Sequence, residues 1–169
     1  PTVIFGEKTT TKTTLALVIA TCLALPWTDN DLGFIVPQQP ISTLFCDWEG
    51  ESNIALWNLK RLQNGMGLPA LKLNYRRCAL PLADDIDQIQ RHTADCNAQV
   101  IIIDSLGAAA GGEDLQKSQP ALAFFSALRR LKTTALIIGQ TSKDTETKRK
   151  TIYGSTFFTY YSRNIFELV

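Results

Sequence analysis

The chain has 169 residues, 45% of them apolar and 20% charged, with 17 Lys and Arg against 16 Asp and Glu and a formal net charge of +1. That length fits one ordinary domain able to bury about 70% of its unfolded surface, and the near-neutral balance excludes bulk electrostatic attraction to nucleic acid or membrane, so any polyanion binding has to be local. Cys22, Cys46, Cys78 and Cys96 are widely spaced with no C-x-x-C pair and His92 is the only His, which leaves neither a zinc site nor a His-based triad and reads as four reduced thiols of a cytoplasmic protein.

The chain opens directly on an apolar strand, residues 2–5, without an initiator Met. The expectation is a single domain, residues 1–169, taken from a longer protein. A helix rich in Ala, Leu, Val and Ile is predicted at 13–25; it is interrupted by Thr21 and Cys22 and stopped by Pro26, short of the ~18 apolar residues of a membrane span. Residues 29–40, with Gly33, Pro37 and Pro40, read as a loop. A buried strand follows at 43–47, then a helix at 52–66 with Ser52 as cap and Gly65 and Gly67 as stop. Alternation predicts a short strand at 71–75 and a polar helix at 84–96 with Ile86 and Ile89 inward. Val100 to Ile103 are four β-branched residues ending at Asp104, the strongest buried-strand signal. A helix at 115–131, a buried strand at 135–139 and an aromatic tail at 152–169, read as a turn and a closing strand or hairpin, complete the order. Alternating helices and strands argue for an α/β fold with a mainly parallel sheet.

The chemistry-bearing residues sit where strands end. Gly6-Glu7-Lys8-Thr9-Thr10-Thr11-Lys12-Thr13 follows the first strand and matches G-x-x-x-x-G-K-[ST] except that Thr11 replaces the second Gly. In the intact pattern backbone N–H groups cradle phosphates, the Lys reaches the β/γ-phosphates and the hydroxyl holds Mg²⁺. Residues Gly6 to Thr14 are therefore the candidate ATP-binding loop, with Thr13 and Asp104 as Mg²⁺ ligands, although an Asp ending a strand is also a common turn residue. Asp47-Trp48-Glu49 ends another apolar strand. Glu49 is the candidate general base for the attacking water, a helix-capping role being the competing account for it and for Glu51. Gln140 ends a third strand, where its amide would contact a γ-phosphate. Lys143, Lys148, Arg149 and Lys150 follow as the densest basic cluster, either solvated surface or a grip on a DNA backbone.

The order Gly6 to Lys12-Thr13, Asp47-Trp48-Glu49, Val100 to Asp104-Ser105 and Ile137 to Gln140 and Lys143 resembles the RecA-like ATPases over nearly the whole chain. The run Cys46 to Gly50, then Lys60-Arg61-Leu62, Gly67-Leu68-Pro69, Tyr153-Gly154-Ser155 and Ser162-Arg163-Asn164, looks most like the RepA/KaiC-type branch of plasmids, phages and mobile elements. The resemblance implies a RecA-like P-loop NTPase fold with a central sheet flanked by helices and a C-terminal β segment. It also implies an ATPase using Mg²⁺ that acts on DNA, a hexameric helicase-like motor or, as alternatives, a strand-exchange recombinase or a nucleotide-binding regulator with little hydrolysis. By the same resemblance Lys12, Glu49 and Gln140 are catalytic, Arg163 is an arginine finger reaching the next subunit of a homo-oligomer, and residues 107–119 and 141–152 line the DNA path. Thr11 departs from the pattern. Lys8 is one residue out of place for the second Lys of K-G-G-x-G-K-[ST].

Overall fold

The computed structural model describes residues 1–8, 10–25, 35–68, 72–112, 114–142 and 151–169. Its elements are β1 (Thr2–Gly6), α1 (Lys12–Ala24), β2 (Thr43–Asp47), α2 (Ser52–Gly65), β3 (Asn74–Arg77), α3 (Leu82–Asp95), β4 (Val100–Asp104), α4 (Leu106–Ala109), α5 (Ser118–Leu131), β5 (Thr134–Gln140), α6 (Thr156–Tyr160) and β6 (Asn164–Leu168). The strands form one sheet in the order β3-β2-β4-β5-β1-β6, every strand pairing parallel. This is the α/β architecture of a RecA-like P-loop NTPase. Parallel pairing brings the carboxyl ends of all six strands to one edge, where ligands of open α/β sheets bind.

Side chains alternate across a strand, so residue parity decides which layer each one joins. Val3 and Phe5, Leu44 and Cys46, Ile101 and Ile103, and Ala135 and Ile137 pack with Leu82, Ile86 and Ile89 of α3 and Phe124, Phe125 and Leu128 of α5. Ile4, Phe45, Ile102, Leu136 and Ile138 face the other way, onto Ala16, Leu17 and Ala20 of α1 and Leu59 of α2. The two small alanines let α1 lie close against the sheet. By the same count Asp47, Asp104 and Gln140 continue the α1-facing rows of Phe45, Ile102 and Ile138, so three polar strand ends share one side.

Several expectations are corrected. The strand expected at 71–75 is Asn74–Arg77, because the segment beside β2 is the one Asn74 ties down, its Nδ2 donating to Thr43 O (3.1 Å), and where Tyr75 stacks on Phe45 (centroids 6.2 Å apart). Ser52 is the first helical residue of α2, and the N-cap is Glu51, which makes no side-chain capping bond. The helix expected from 115 starts at Ser118, and α4 precedes it. Of the closing strand or hairpin expected for the tail the structure has the strand, with a helix before it: α6 starts where Ser155 Oγ accepts the Phe157 N–H (3.3 Å), and β6 then pairs in parallel with β1. Residues 35–42 are in neither helix nor strand, and the rest of the expected 29–40 loop lies outside the described residues. Among the described residues no helix is long and apolar enough to cross a membrane.

The tail is pinned through its aromatic side chains. Phe158 is fully buried among Phe124 and Phe125, at centroid distances of 6.3 and 6.1 Å. Trp57, by contrast, is 57% exposed, with the Arg61 guanidinium over its ring at 4.5 Å. Phe158→Ala is expected to cost about 3–5 kcal/mol, and Trp57→Ala less than about 1 kcal/mol. Urea unfolding followed by circular dichroism checks both values.

Candidate functional site

Gly6 closes β1 at a point where a side chain has no room: an added Cβ would meet Leu168 O at 2.5 Å and Thr10 Oγ1 at 2.8 Å. The loop then turns through Thr10, whose hydroxyl donates to Glu7 O (2.8 Å). Thr11, the N-cap of α1, has φ 54° and ψ 24°. This is the left-handed region that the missing Gly would occupy freely, and a β-branched residue holds it at a cost of roughly 1–3 kcal/mol. Lys12 Nζ donates to Gly6 O (3.1 Å), to Thr10 Oγ1 (3.1 Å) and to the Glu7 carbonyl. Burial lowers the pKa of its ammonium, while Asp104 and then Glu49 oppose that shift. Lys8 lines the same pocket, Thr14 lines the groove between α1 and α2, and Thr9 lies outside the described residues.

Thr13 is in the first turn of α1, and its hydroxyl donates to Asp104 Oδ2 at 2.6 Å. Asp104 is 4% exposed. Its pKa is pushed up to about 6, first by burial, with Asp47 and Glu49 adding to the rise and the Thr13 bond and Lys12 opposing it. A hydroxyl and a carboxylate so close together form a hard-oxygen donor pair that leaves room for phosphate and water ligands. That donor set fits Mg²⁺.

Glu49 is held by the turn after β2. Asp47 Oδ1 accepts the N–H groups of Glu49 (2.9 Å) and Gly50 (2.7 Å), and Asp47 Oδ2 accepts the Tyr75 hydroxyl (2.9 Å). Gly50 is required here, since its Cβ would fall 2.6 Å from Asp47 Oδ2. The Trp48 N–H donates to Asp104 O (2.6 Å) and its indole to Leu80 O (2.8 Å), which ties the turn to both neighbouring segments. Burial, then the bond to Asp47, raises the Tyr75 phenol well above its ordinary pKa. Glu49 Oε1 accepts the Ser105 hydroxyl and Gln140 Nε2 (3.4 Å). Glu51, the alternative carboxylate, instead uses its backbone carbonyl to start α2, accepting from Ile54 N–H (3.0 Å).

Lys12, Thr13, Glu49, Asp104, Ser105 and Gln140 thus meet in one pocket of about 640 Å³ at the carboxyl edge of the sheet. Arg163 does not join them. It precedes β6 at the amino edge, where its N–H donates to Pro1 O (2.9 Å). Lys143, Lys148, Arg149 and Lys150 lie outside the described residues. Sequence reasoning missed Ser105, Asp47 and Tyr75 as partners of the site. Only Asp47 carried a local signal, an Asp two and three residues before the N–H groups it binds.

A family model described as AAA domain matches residues 1–146. A search of curated proteins returns no match.

The pocket stores cost that substitution should release. Thr11→Gly is expected to stabilise the chain by up to about 1 kcal/mol, relieved strain less the added freedom of the unfolded chain, while Thr11→Ala keeps the strain. Denaturant midpoints distinguish the two variants. Asp104 favours its neutral form on folding, so the stability tied to it is complete below about pH 4 and is lost as pH rises through about 6. The difference from the ordinary 3.8 corresponds to roughly 3 kcal/mol. Metal-free Asp104→Asn should therefore melt higher than the parent at pH 8 and lose that advantage at pH 4, in paired thermal scans.

Proposed function

We propose, for a chain that belongs to the AAA domain family, that this pocket binds ATP with Mg²⁺ and hydrolyses it. The observation that supports this most is the convergence of Lys12, Thr13, Asp104 and Glu49 from three strand ends on one pocket. Lys12 exchanges the loop carbonyls for the β/γ-phosphates, and the first-turn N–H groups of α1 supply the positive end of the helix dipole. Mg²⁺, held by the Thr13 hydroxyl and by Asp104 directly or through its water shell, would neutralise charge on the phosphates. Glu49 takes the proton of the attacking water, positioned by Asp47 from the backbone side and by Ser105 at its carboxylate. Gln140, sharing Glu49 Oε1, contacts the γ-phosphate and couples its presence to the segment that follows.

The finer reading is a RepA/KaiC-type motor that works on DNA as a hexameric ring. Arg163 stands at the far end of the sheet from Lys12, so its part as an arginine finger belongs to a neighbouring subunit's nucleotide. Lys143, Lys148, Arg149 and Lys150 follow the sensor strand in sequence, where a nucleotide-linked segment would grip a DNA backbone. A second reading, a nucleotide-binding regulator with weak turnover, is favoured by the left-handed Thr11.

Titration calorimetry and steady-state hydrolysis test the proposal together. Lys12→Ala is expected to lose tight Mg·ATP binding, and Glu49→Gln to keep it while slowing hydrolysis by roughly 10²-fold or more. Single-stranded DNA should accelerate turnover of the parent. Hydrolysis lost in Glu51→Gln and retained in Glu49→Gln would transfer the base to the other carboxylate.

A further inference from the structure

The candidate base is held at one remove by a side chain that does not line the pocket. Tyr75 stands on β3 in register with Phe45 of β2. It packs on the α1-facing side of the sheet, its ring stacked on Phe45 at an interplanar angle of 12°. Asp47 is the next residue of β2 on that face, about 6.6 Å further along the strand. A ring fixed over Phe45 carries its hydroxyl that far, and Tyr75 donates to Asp47 Oδ2 across 2.9 Å. The Cys78 N–H, just beyond β3, donates to Asp47 O (2.8 Å). The β3 segment therefore grips the end of β2 by side chain and by backbone.

Asp47 is 4% exposed. Among the described residues three donors converge on its carboxylate, the Tyr75 hydroxyl on Oδ2 and the Glu49 and Gly50 N–H groups on Oδ1. A carboxylate is planar, so fixing one oxygen fixes the direction of the other. The Tyr75 bond thus aims Oδ1 at the two amides that carry the Glu49 turn. Oδ2 also stands 2.6 Å from where a Cβ on Gly50 would fall, so a rotation of the carboxylate displaces the backbone of that turn. Without the phenol, Oδ2 would be buried and short of a donor near Asp104, its register neighbour on β4, and repulsion between the two carboxylates would turn it. A phenol suits this post. Burial, then the bond to Asp47, keeps its pKa well above the ordinary value, so it stays a donor throughout the range in which carboxylates titrate.

A half-buried tyrosine whose hydroxyl finds a partner is ordinarily a packing residue. Here the bond begins a chain of contacts that ends on one functional group: Tyr75 to Asp47, Asp47 to the Glu49 N–H, and Glu49 Oε1 to Ser105 and Gln140. Glu49 and Asp104 line the pocket, and neither Asp47 nor Tyr75 does. We propose that Tyr75 is a positioning residue for Glu49, acting through Asp47 and touching no substrate. The catalytic consequence rests on the ATPase reading above; the hold on the turn does not.

Tyr75→Phe keeps the ring on Phe45 and removes only the donor. It is expected to lower kcat roughly tenfold, while Mg·ATP affinity in calorimetry stays within about twofold of the parent. In the Glu49→Gln chain, whose residual hydrolysis is followed in single turnovers, the same substitution should cause no further loss. Amide hydrogen exchange followed by NMR reads the turn directly: relative to Ile101, Ile102 and Ile103 of β4, Glu49 and Gly50 should exchange about tenfold faster. A merely structural hydroxyl would speed both sets equally. Asp47→Asn, which puts a donor in place of the oxygen that accepts from Tyr75, is the second variant should Tyr75→Phe fold poorly, with the same shifts expected. Exchange at Glu49 and Gly50 that rises no more than in β4, an unchanged kcat, or a loss additive with Glu49→Gln overturns the proposal. A parent that does not hydrolyse ATP overturns the ATPase reading alone, and the relative exchange rates then decide for or against the hold of Tyr75 on the turn.

Discussion

The Thr13 hydroxyl donates to Asp104 across 2.6 Å, joining residues 91 positions apart in the chain. It depends on several features at once. The phosphate loop must deliver Thr13 into the first turn of α1, and β4 must end on the α1-facing parity. The sheet must also be parallel, so that β1 and β4 finish at the same edge with β5 between them. An antiparallel neighbour would send one of these residues to the far end of the molecule. The hydrophobic rows behind it, Ile102 and Ile138 against Leu17 and Ala20, hold the two segments at that separation.

Around this contact the chain keeps features that cost stability. Thr11 adopts a conformation that favours glycine, Asp104 is a carboxylate buried near two others, and Gly6 and Gly50 leave space that any Cβ would fill. Such costs persist where the surrounding structure over-determines them, and they cluster at functional sites. The second layer of the site serves the same end. Asp47 uses both oxygens to hold the Glu49 turn and Tyr75, and Ser105 holds the Glu49 carboxylate itself.

The sheet has two chemically different ends. At the carboxyl edge carboxylates, hydroxyls, Lys8 and Lys12 line one pocket; at the amino edge Arg129, Lys132 and Arg163 line another, with no Asp or Glu among its lining residues. Both ends are built on β1 and β5. β1 and β5 pair from Thr2–Leu136 to Gly6–Gln140.

Much of this was legible in the sequence where the determining contacts are local. The β-branched run before Asp104 could only be a buried strand, and β2 runs over residues 43–47 as its apolar pattern indicates. Lys12, Thr13, Asp104, Glu49 and Gln140 were identifiable because each stands at a strand end in a fixed relation to its neighbours, and Thr11 because a loop needing positive φ usually has Gly there. What the tertiary structure alone decided depends on partners distant in sequence. The shifted β3 is set by contacts with β2, and the exposure of Ile54 and Trp57 on α2 by which helix face meets the sheet. The parallel docking of β6 follows from the burial of Phe158 and the free edge of β1. Ser105 and Tyr75 became visible as parts of the site only when strands β2, β3 and β4 were brought side by side, because side-chain periodicity reports which face is buried and carries no information about which strand lies next to it.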